Sequence, residues 1–209
     1  PADLSEAAST EAVADKILAE HAQVDVLANN AARSIRRPIR ESLDRMHDYE
    51  RTMQLNYFGA LRLTMKFIPR FLEQGSGQVI ISSSMSTQVP IPLFSAYLAS
   101  KAALESFARS LSAELGHKGI AVTTIHFPMV RTPMSSRTDI YRHMPMMKVD
   151  DAAGWIVKAV AHRPERIART FGTLGQLALS ALPGLVIHGS QGAFRAMDWA
   201  LKQRAKKSG

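Results

Sequence analysis

Cysteine is absent from the 209 residues, which excludes a disulfide framework and a thiolate metal site and fits a reducing cytoplasm. No apolar run reaches the roughly 18 residues that span a bilayer. The first residues, Pro1-Ala2-Asp3-Leu4-Ser5, carry neither an initiator Met nor a signal-peptide pattern. No Gly-x-Gly loop of the kind that cradles a phosphate occurs anywhere. Aromatic residues are sparse, at 7%, and none interleaves with the basic clusters as a base-stacking platform requires. The net charge of +8 is therefore read as attraction to an anionic small molecule or a lipid surface, not to nucleic acid. Asp139, Asp150, Asp151 and the scattered histidines show no ligand spacing, so no metal site is expected.

The chain is long enough for one α/β domain, and its apolar content of 46% suits a packed core. Ser5 to His21 reads as a helix, capped by Ser5 or Ser9, with Ala8, Val13, Ile17 and Leu18 as its stripe. Val24 to Ala28, Gln78 to Ser82 and Ala121 to His126 are short apolar runs, as expected of strands buried on both faces. Between them, Leu43 to about Gln74 reads as one long helix that Pro69 kinks or ends. A second helix carries Tyr97 and runs to about His117. Asp150 to His162 is expected as an Asp-capped helix and Arg166 to Thr170 as a short strand. Leu174–Leu182 and Gln191–Arg204 follow as weak amphipathic helices. Strands alternating with helices indicate a parallel, Rossmann-like doubly wound sheet.

One stretch carries chemistry. Tyr97 and Lys101 are four apart and share a helix face. A nearby ammonium favours phenolate, so Lys101 is expected to lower the Tyr97 pKa. Ser84 ends the apolar run Val79-Ile80-Ile81 and brings a hydroxyl to a strand terminus. A hydroxyl, a phenol and an ammonium at one point suit the handling of a carbonyl or carbinol oxygen. A Tyr-x-x-x-Lys pair alone also arises by chance on helices.

Asp3-Leu4, Asn29-Asn30-Ala31-Ala32, Asn56, Ser84, Tyr97-x-x-x-Lys101 and Pro128-Met129-Val130-Arg131-Thr132 fall in one order that resembles the short-chain dehydrogenase/reductase family. The resemblance implies a catalytic tetrad of Asn56, Ser84, Tyr97 and Lys101. Tyr97 would exchange the substrate proton and Ser84 would hold the substrate oxygen. Lys101 would tune Tyr97 and hold the nicotinamide ribose, and Asn56 would keep a relay water. It also implies a bound NADP, or NAD. Asp3 and Leu4 would lie beside its adenine, Asn30 and Ala31 under its ribose, and Val130 and Thr132 at its carboxamide. Segments 29–38, 50–63, 128–134 and 162–167 are further similar to the reductase domain of bacterial, mycobacterial-type fatty acyl-CoA reductases. That likeness implies an NADPH-dependent reduction of long-chain acyl thioesters or fatty aldehydes, with Arg33, Arg36 and Arg37 facing either coenzyme A phosphates or solvent.

Three departures qualify the resemblance. The family's Gly-rich diphosphate loop and first three strands are absent before Asp3, Ala32 replaces a Gly, and the Pro128 segment lacks the usual Gly. The 209 residues are therefore expected to be an N-terminally truncated domain, with 1–170 as the partial reductase domain and 171–209 as a helical extension. Val24–Ala28 is expected to be a bare sheet edge, and dinucleotide binding by this chain alone weak or absent. A homo-oligomer is expected at full length. Met129, Met134, Met144, Met146 and Met147 read either as an adaptable lid over an acyl chain or as core filling. The tail from Leu174 reads as a peripheral membrane contact, a dimer contact or a frayed end. A non-catalytic fragment serving only partner or membrane binding stays open beside the enzyme.

Overall fold

The computed structural model describes residues 1–136 and 145–207, without the side chains of Met134, Ser136 and 197–207. Helix α1 spans Ala7–Glu20 and leads into strand β1, Val26–Asn29. The expected long helix is three segments: α2 (Met46–Met53), a π-helical turn over Gln54–Gly59, and α3 (Ala60–Gln74). Pro69 neither ends nor breaks α3. Pro69 and Met65 are both exposed, so the carbonyl deprived of its partner four residues back stands on the wet face.

Strand β2 (Gly77–Ser84) is followed by α4 (Ser95–Leu115) and β3 (Ile120–Phe127). A single turn, α5 (Pro133–Ser136), precedes α6 (Val149–His162), the two-residue strand β4 (Arg166–Ile167), α7 (Thr170–Ala181) and α8 (Pro183–Lys207). Lys148 holds the N-cap of α6, with no side-chain cap, and Asp150 and Asp151 fall in its first turn rather than capping it. Strand β4 stops at Ile167 and α7 begins at Thr170, so the strand expected to reach Thr170 is shorter.

The sheet among the described residues is parallel in the order β1-β2-β3-β4, with Ala28 paired to Ile80 and Ser84 to Phe127. Alternate residues of β2 serve opposite faces. Val79 and Ile81 join Phe67, Phe71, Leu104 and Leu111 from α3 and α4, while Ile80 joins Ile125, Ala159 and Trp155 on the α6 side. Helices thus cover both faces, which is why β2 reads as an unbroken apolar run. Strand β1 forms one sheet edge, and its Ala28 is exposed.

Candidate active site

Parallel strands point their C-terminal ends to one edge, where ligands of open α/β sheets bind. Here β1, β2 and β3 deliver Asn30-Ala31, Ser84 and Pro128–Thr132 to that edge. Helix α4 packs on β2 and β3 and carries Tyr97 and Lys101. The Ser84 side chain lies close enough to the Tyr97 hydroxyl to pull its pKa down. Ser84 Oγ also accepts from the Ser86 amide at 3.2 Å.

Lys101 is 2% exposed and donates through Nζ to the Ser82 carbonyl at 2.7 Å. Burial pulls its pKa down to about 8, against the pull of the Glu105 charge. The phenol of Tyr97 moves opposite to expectation. Burial raises its pKa, the Ser84 side chain opposes that, and Glu105 raises it further. Desolvation thus dominates the phenol despite the ammonium one turn away in sequence, and Tyr97 is a neutral proton donor at neutral pH.

Asn56 lies inside the π turn, fully buried. Its Oδ1 accepts from the Arg33 amide at 2.8 Å, and its Nδ2 donates to the Arg33 carbonyl and to Ser100 Oγ, both at 2.9 Å. Ser100 Oγ in turn donates to the Tyr97 carbonyl at 2.7 Å. The amide expected to keep a relay water is engaged with protein groups and braces the loop after Asn30 against α4. π turns cluster at functional sites because they re-aim a side chain within a helix. Gly59 closes this turn; a Cβ there would collide with the Leu4 carbonyl, so the glycine lets Asp3-Leu4 approach.

Glu105 is a site residue that the sequence reading passed over. It is 8% exposed, and its Oε1 accepts from the Ser83 hydroxyl and, at 2.7 Å, from Thr87 Oγ1. The Ser84 carbonyl stands 2.7 Å from the same Thr87 Oγ1 and shares its one hydrogen with the carboxylate. Nδ1 of His126 stands 3.4 Å from the same carboxylate oxygen. Burial lowers the His126 pKa while Glu105 raises it. The carboxylate therefore ties together the residues on both sides of Ser84. Its signal was spacing: Glu105 continues the Tyr97, Lys101 series by four.

The remaining candidates divide. Asn30 Oδ1 accepts from Ser82 Oγ at 2.8 Å, so Asn30 and Lys101 meet on one residue. The Val130 and Thr132 carbonyls both accept from Ser135 Oγ, and Val130 bridges to Met147, which fixes that loop at the sheet edge. Asp3 is exposed, and its Oδ1 accepts from the Ser5 amide and hydroxyl, which keep its pKa low. Its neighbour Leu4 lies against Gly59 of the π turn. Arg37 lies 3.5 Å from the buried Asp48, which Arg45 and Arg51 also grip; Arg45 foremost holds that carboxyl down to about 2. Arg33 and Arg36 remain exposed. Met147 is buried, whereas Met144 lies outside the described residues. Among the described residues no three His, Asp or Glu side chains cluster as metal ligands.

Donors and acceptors at this edge fit the nicotinamide end of a dinucleotide: an ammonium, a phenol, two hydroxyls and fixed backbone carbonyls. No glycine-rich turn in the chain serves its diphosphate. The short chain dehydrogenase family model matches residues 1–141. A fatty acyl-CoA reductase of Acinetobacter baylyi is 45% identical over 185 residues, 88% of this chain and 63% of that protein. A fatty acyl-CoA reductase of Mycobacterium tuberculosis is 43% identical over 169 residues, 80% of this chain and 58% of that protein. The chain thus spans less than two thirds of the length of these relatives. In structure it is similar to a short chain dehydrogenase of Burkholderia cenocepacia solved with NADP. The TM-score is 0.76 at 21% identity, covering 90% of this chain and 76% of that one. A short-chain dehydrogenase of Streptomyces avermitilis gives 0.69 at 27% identity, covering 99% of this chain and 77% of that one. With these motifs on one parallel sheet edge and the family match over most of its length, the chain belongs to the short-chain dehydrogenase family.

Proposed function

We propose that the protein reduces a long-chain acyl thioester or fatty aldehyde with NADPH, Tyr97 giving the proton. The observation that carries this reading is the Ser84–Tyr97 hydroxyl pair at the sheet edge, with the buried Lys101 behind it. The two relatives named as fatty acyl-CoA reductases support the substrate class. The NADP-bound solved relatives support the cofactor, and the same residues would accept NAD. When bound, the nicotinamide supplies a hydride to the substrate carbonyl carbon. Lys101 and Tyr97 would hold its ribose, Val130 and Thr132 its carboxamide, Asn30 and Ala31 the segment beneath, and Asp3 and Leu4 the adenine.

The chain's own groups do the rest. Ser84 hydrogen-bonds the substrate oxygen and steadies the charge that develops there. Tyr97, a neutral phenol whose pKa desolvation raises further, gives that oxygen its proton. The Lys101 cation then stabilises the tyrosinate left behind. Asn56 and Glu105 hold the two flanks of this arrangement and touch no reacting atom. We further infer that residues 171–209 form a helical extension with a peripheral lipid contact, and that the full-length protein is a cytoplasmic homo-oligomer.

The test is NADPH oxidation by the full-length protein. Long-chain acyl-CoA or fatty aldehyde is expected to be consumed in step with NADPH, and a short polar ketone to be poor. Saturable NADPH binding without oxidation on either long-chain substrate would overturn the reading in favour of a non-catalytic binding protein.

A further inference from the structure

We propose that α7 and α8 dock the protein onto a bilayer bearing anionic headgroups. The surface adds detail to the acyl-reductase reading, yet it rests on observations of its own.

Helix α7 is built inside out for a helix facing water. Its small residues face the protein: a Cβ on Gly172 would collide with Gln88 and Met85, and one on Gly175 would lie 2.5 Å from Val89. Its large apolar residues face outward, with Phe171 74%, Leu174 60% and Leu177 61% exposed. Leu182, Leu185 and Ile187 continue this surface through the junction into α8. Folded proteins seldom leave so many large apolar side chains together in water unless they meet a partner.

Charge selects the partner. No Asp or Glu occurs between Glu165 and Asp198, whereas Arg169 and Arg195 flank the apolar residues. Lys202, Arg204, Lys206 and Lys207 follow near the C-terminus. A second copy placed by a two-fold axis would set cation against cation. An anionic lipid surface accepts both the apolar side chains and the charge.

Geometry sets the mode. No single helix among the described residues is long and apolar enough to cross a bilayer. Residues Thr170–Ala181 and Pro183–Ala196 reach the needed length and hydropathy together, but the chain bends by 119° between them. So sharp a bend suits a pair lying in the interface better than one continuous span across it. Its inner side stays on the protein: Ser190 Oγ donates to the Pro90 carbonyl at 2.6 Å. Phe194 joins Pro38, Ile39, Arg40, Pro92 and Leu93 around a largely apolar cavity of about 230 Å³. Leu93, held at a φ of 76°, stands four residues before Tyr97. The docking face therefore adjoins an apolar recess close in sequence to the proton donor.

The experiment is co-sedimentation of the full-length protein with vesicles of equimolar phosphatidylglycerol and phosphatidylcholine, and with phosphatidylcholine alone. The protein is expected to partition about ten-fold more strongly onto the anionic vesicles. Phe171→Ser/Leu174→Ser/Leu177→Ser is expected to reduce that partitioning about ten-fold or more while leaving the far-ultraviolet circular dichroism unchanged. These three side chains are exposed, so the variant keeps the fold. Equal binding of both vesicle types would overturn the proposal. So would no vesicle binding together with a concentration-dependent dimer, seen by sedimentation, that the triple variant dissolves. Neither readout involves turnover, so failure here leaves the reductase reading intact, and failure of that reading leaves this one testable.

Discussion

The edge of the sheet around Ser84 and the helices α7 and α8 solve opposite problems. At the edge, polar and charged side chains are taken out of water. Asn56, Ser100 and Lys101 are at most 2% exposed, and each has a protein partner within 3 Å. Along α7 the large apolar side chains stay in water while glycines occupy the packed face. Burying polar groups costs free energy unless every bond is made, and the edge makes them through Glu105, Thr87 and Asn56. Exposing apolar groups costs free energy unless something else covers them. The polar groups of the first region thus find most of their partners within the chain, whereas the apolar face of the second is covered by a surface outside it.

The sharpest way to break this contrast is one substitution in each region. Glu105→Ala is expected to destabilise by about 3 kcal/mol, because Ser83, Thr87 and His126 lose a shared buried acceptor. Glu105→Gln keeps an oxygen acceptor and is expected to recover part of that loss. Leu177→Ser, exposed on α7, is expected to change stability by no more than about 0.5 kcal/mol. Urea unfolding of the three variants measures both. A large loss at Leu177 with none at Glu105 would reverse the account.

A smaller effect lies in pH. Lys101 has a folded-state pKa of about 8, below its ordinary 10.5. Between those values the unfolded chain holds more protons, so stability rises with pH across that window, and the penalty of burying the cation is full below about 8. Tyr97, raised above 10.0, acts against the rise at its upper end. The rise is on the order of 3 kcal/mol at most. Lys101→Met is expected to flatten it in urea unfolding run from neutral to alkaline pH, whereas serines on α7 leave it unchanged.

Much of this was legible in the residues, for identifiable reasons. Strand β2 shows as Val79-Ile80-Ile81 because a parallel strand packed on both faces needs no alternation. Ser84 and Tyr97 were legible because a strand end and a helix face fix where their side chains go. The π turn at Gln54–Gly59 was hidden, since one extra residue per turn leaves apolar spacing nearly unchanged. Glu105 was hidden because a carboxylate on a helix normally marks a wet face, and only the fold places Ser83 and His126 against it. The rise in the Tyr97 pKa was also hidden. Spacing shows the ammonium one turn away, but desolvation depends on the walls that other elements build. The outward leucines of α7 were seen as a weak amphipathic stripe, and the glycines that reverse its sense gain meaning only against Gln88 and Val89.

The most direct test of the central claim, that the half-buried neutral phenol of Tyr97 is the proton donor, is the kcat of Tyr97→Phe in the full-length protein with NADPH and a long-chain substrate. The substitution removes one hydroxyl and its interaction with Ser84; stability is expected to stay close to that of the wild type, and NADPH affinity to fall no more than a few-fold with the loss of one ribose contact. A fall in kcat of about a thousand-fold is the predicted result. Turnover within a few-fold of the wild type would contradict it.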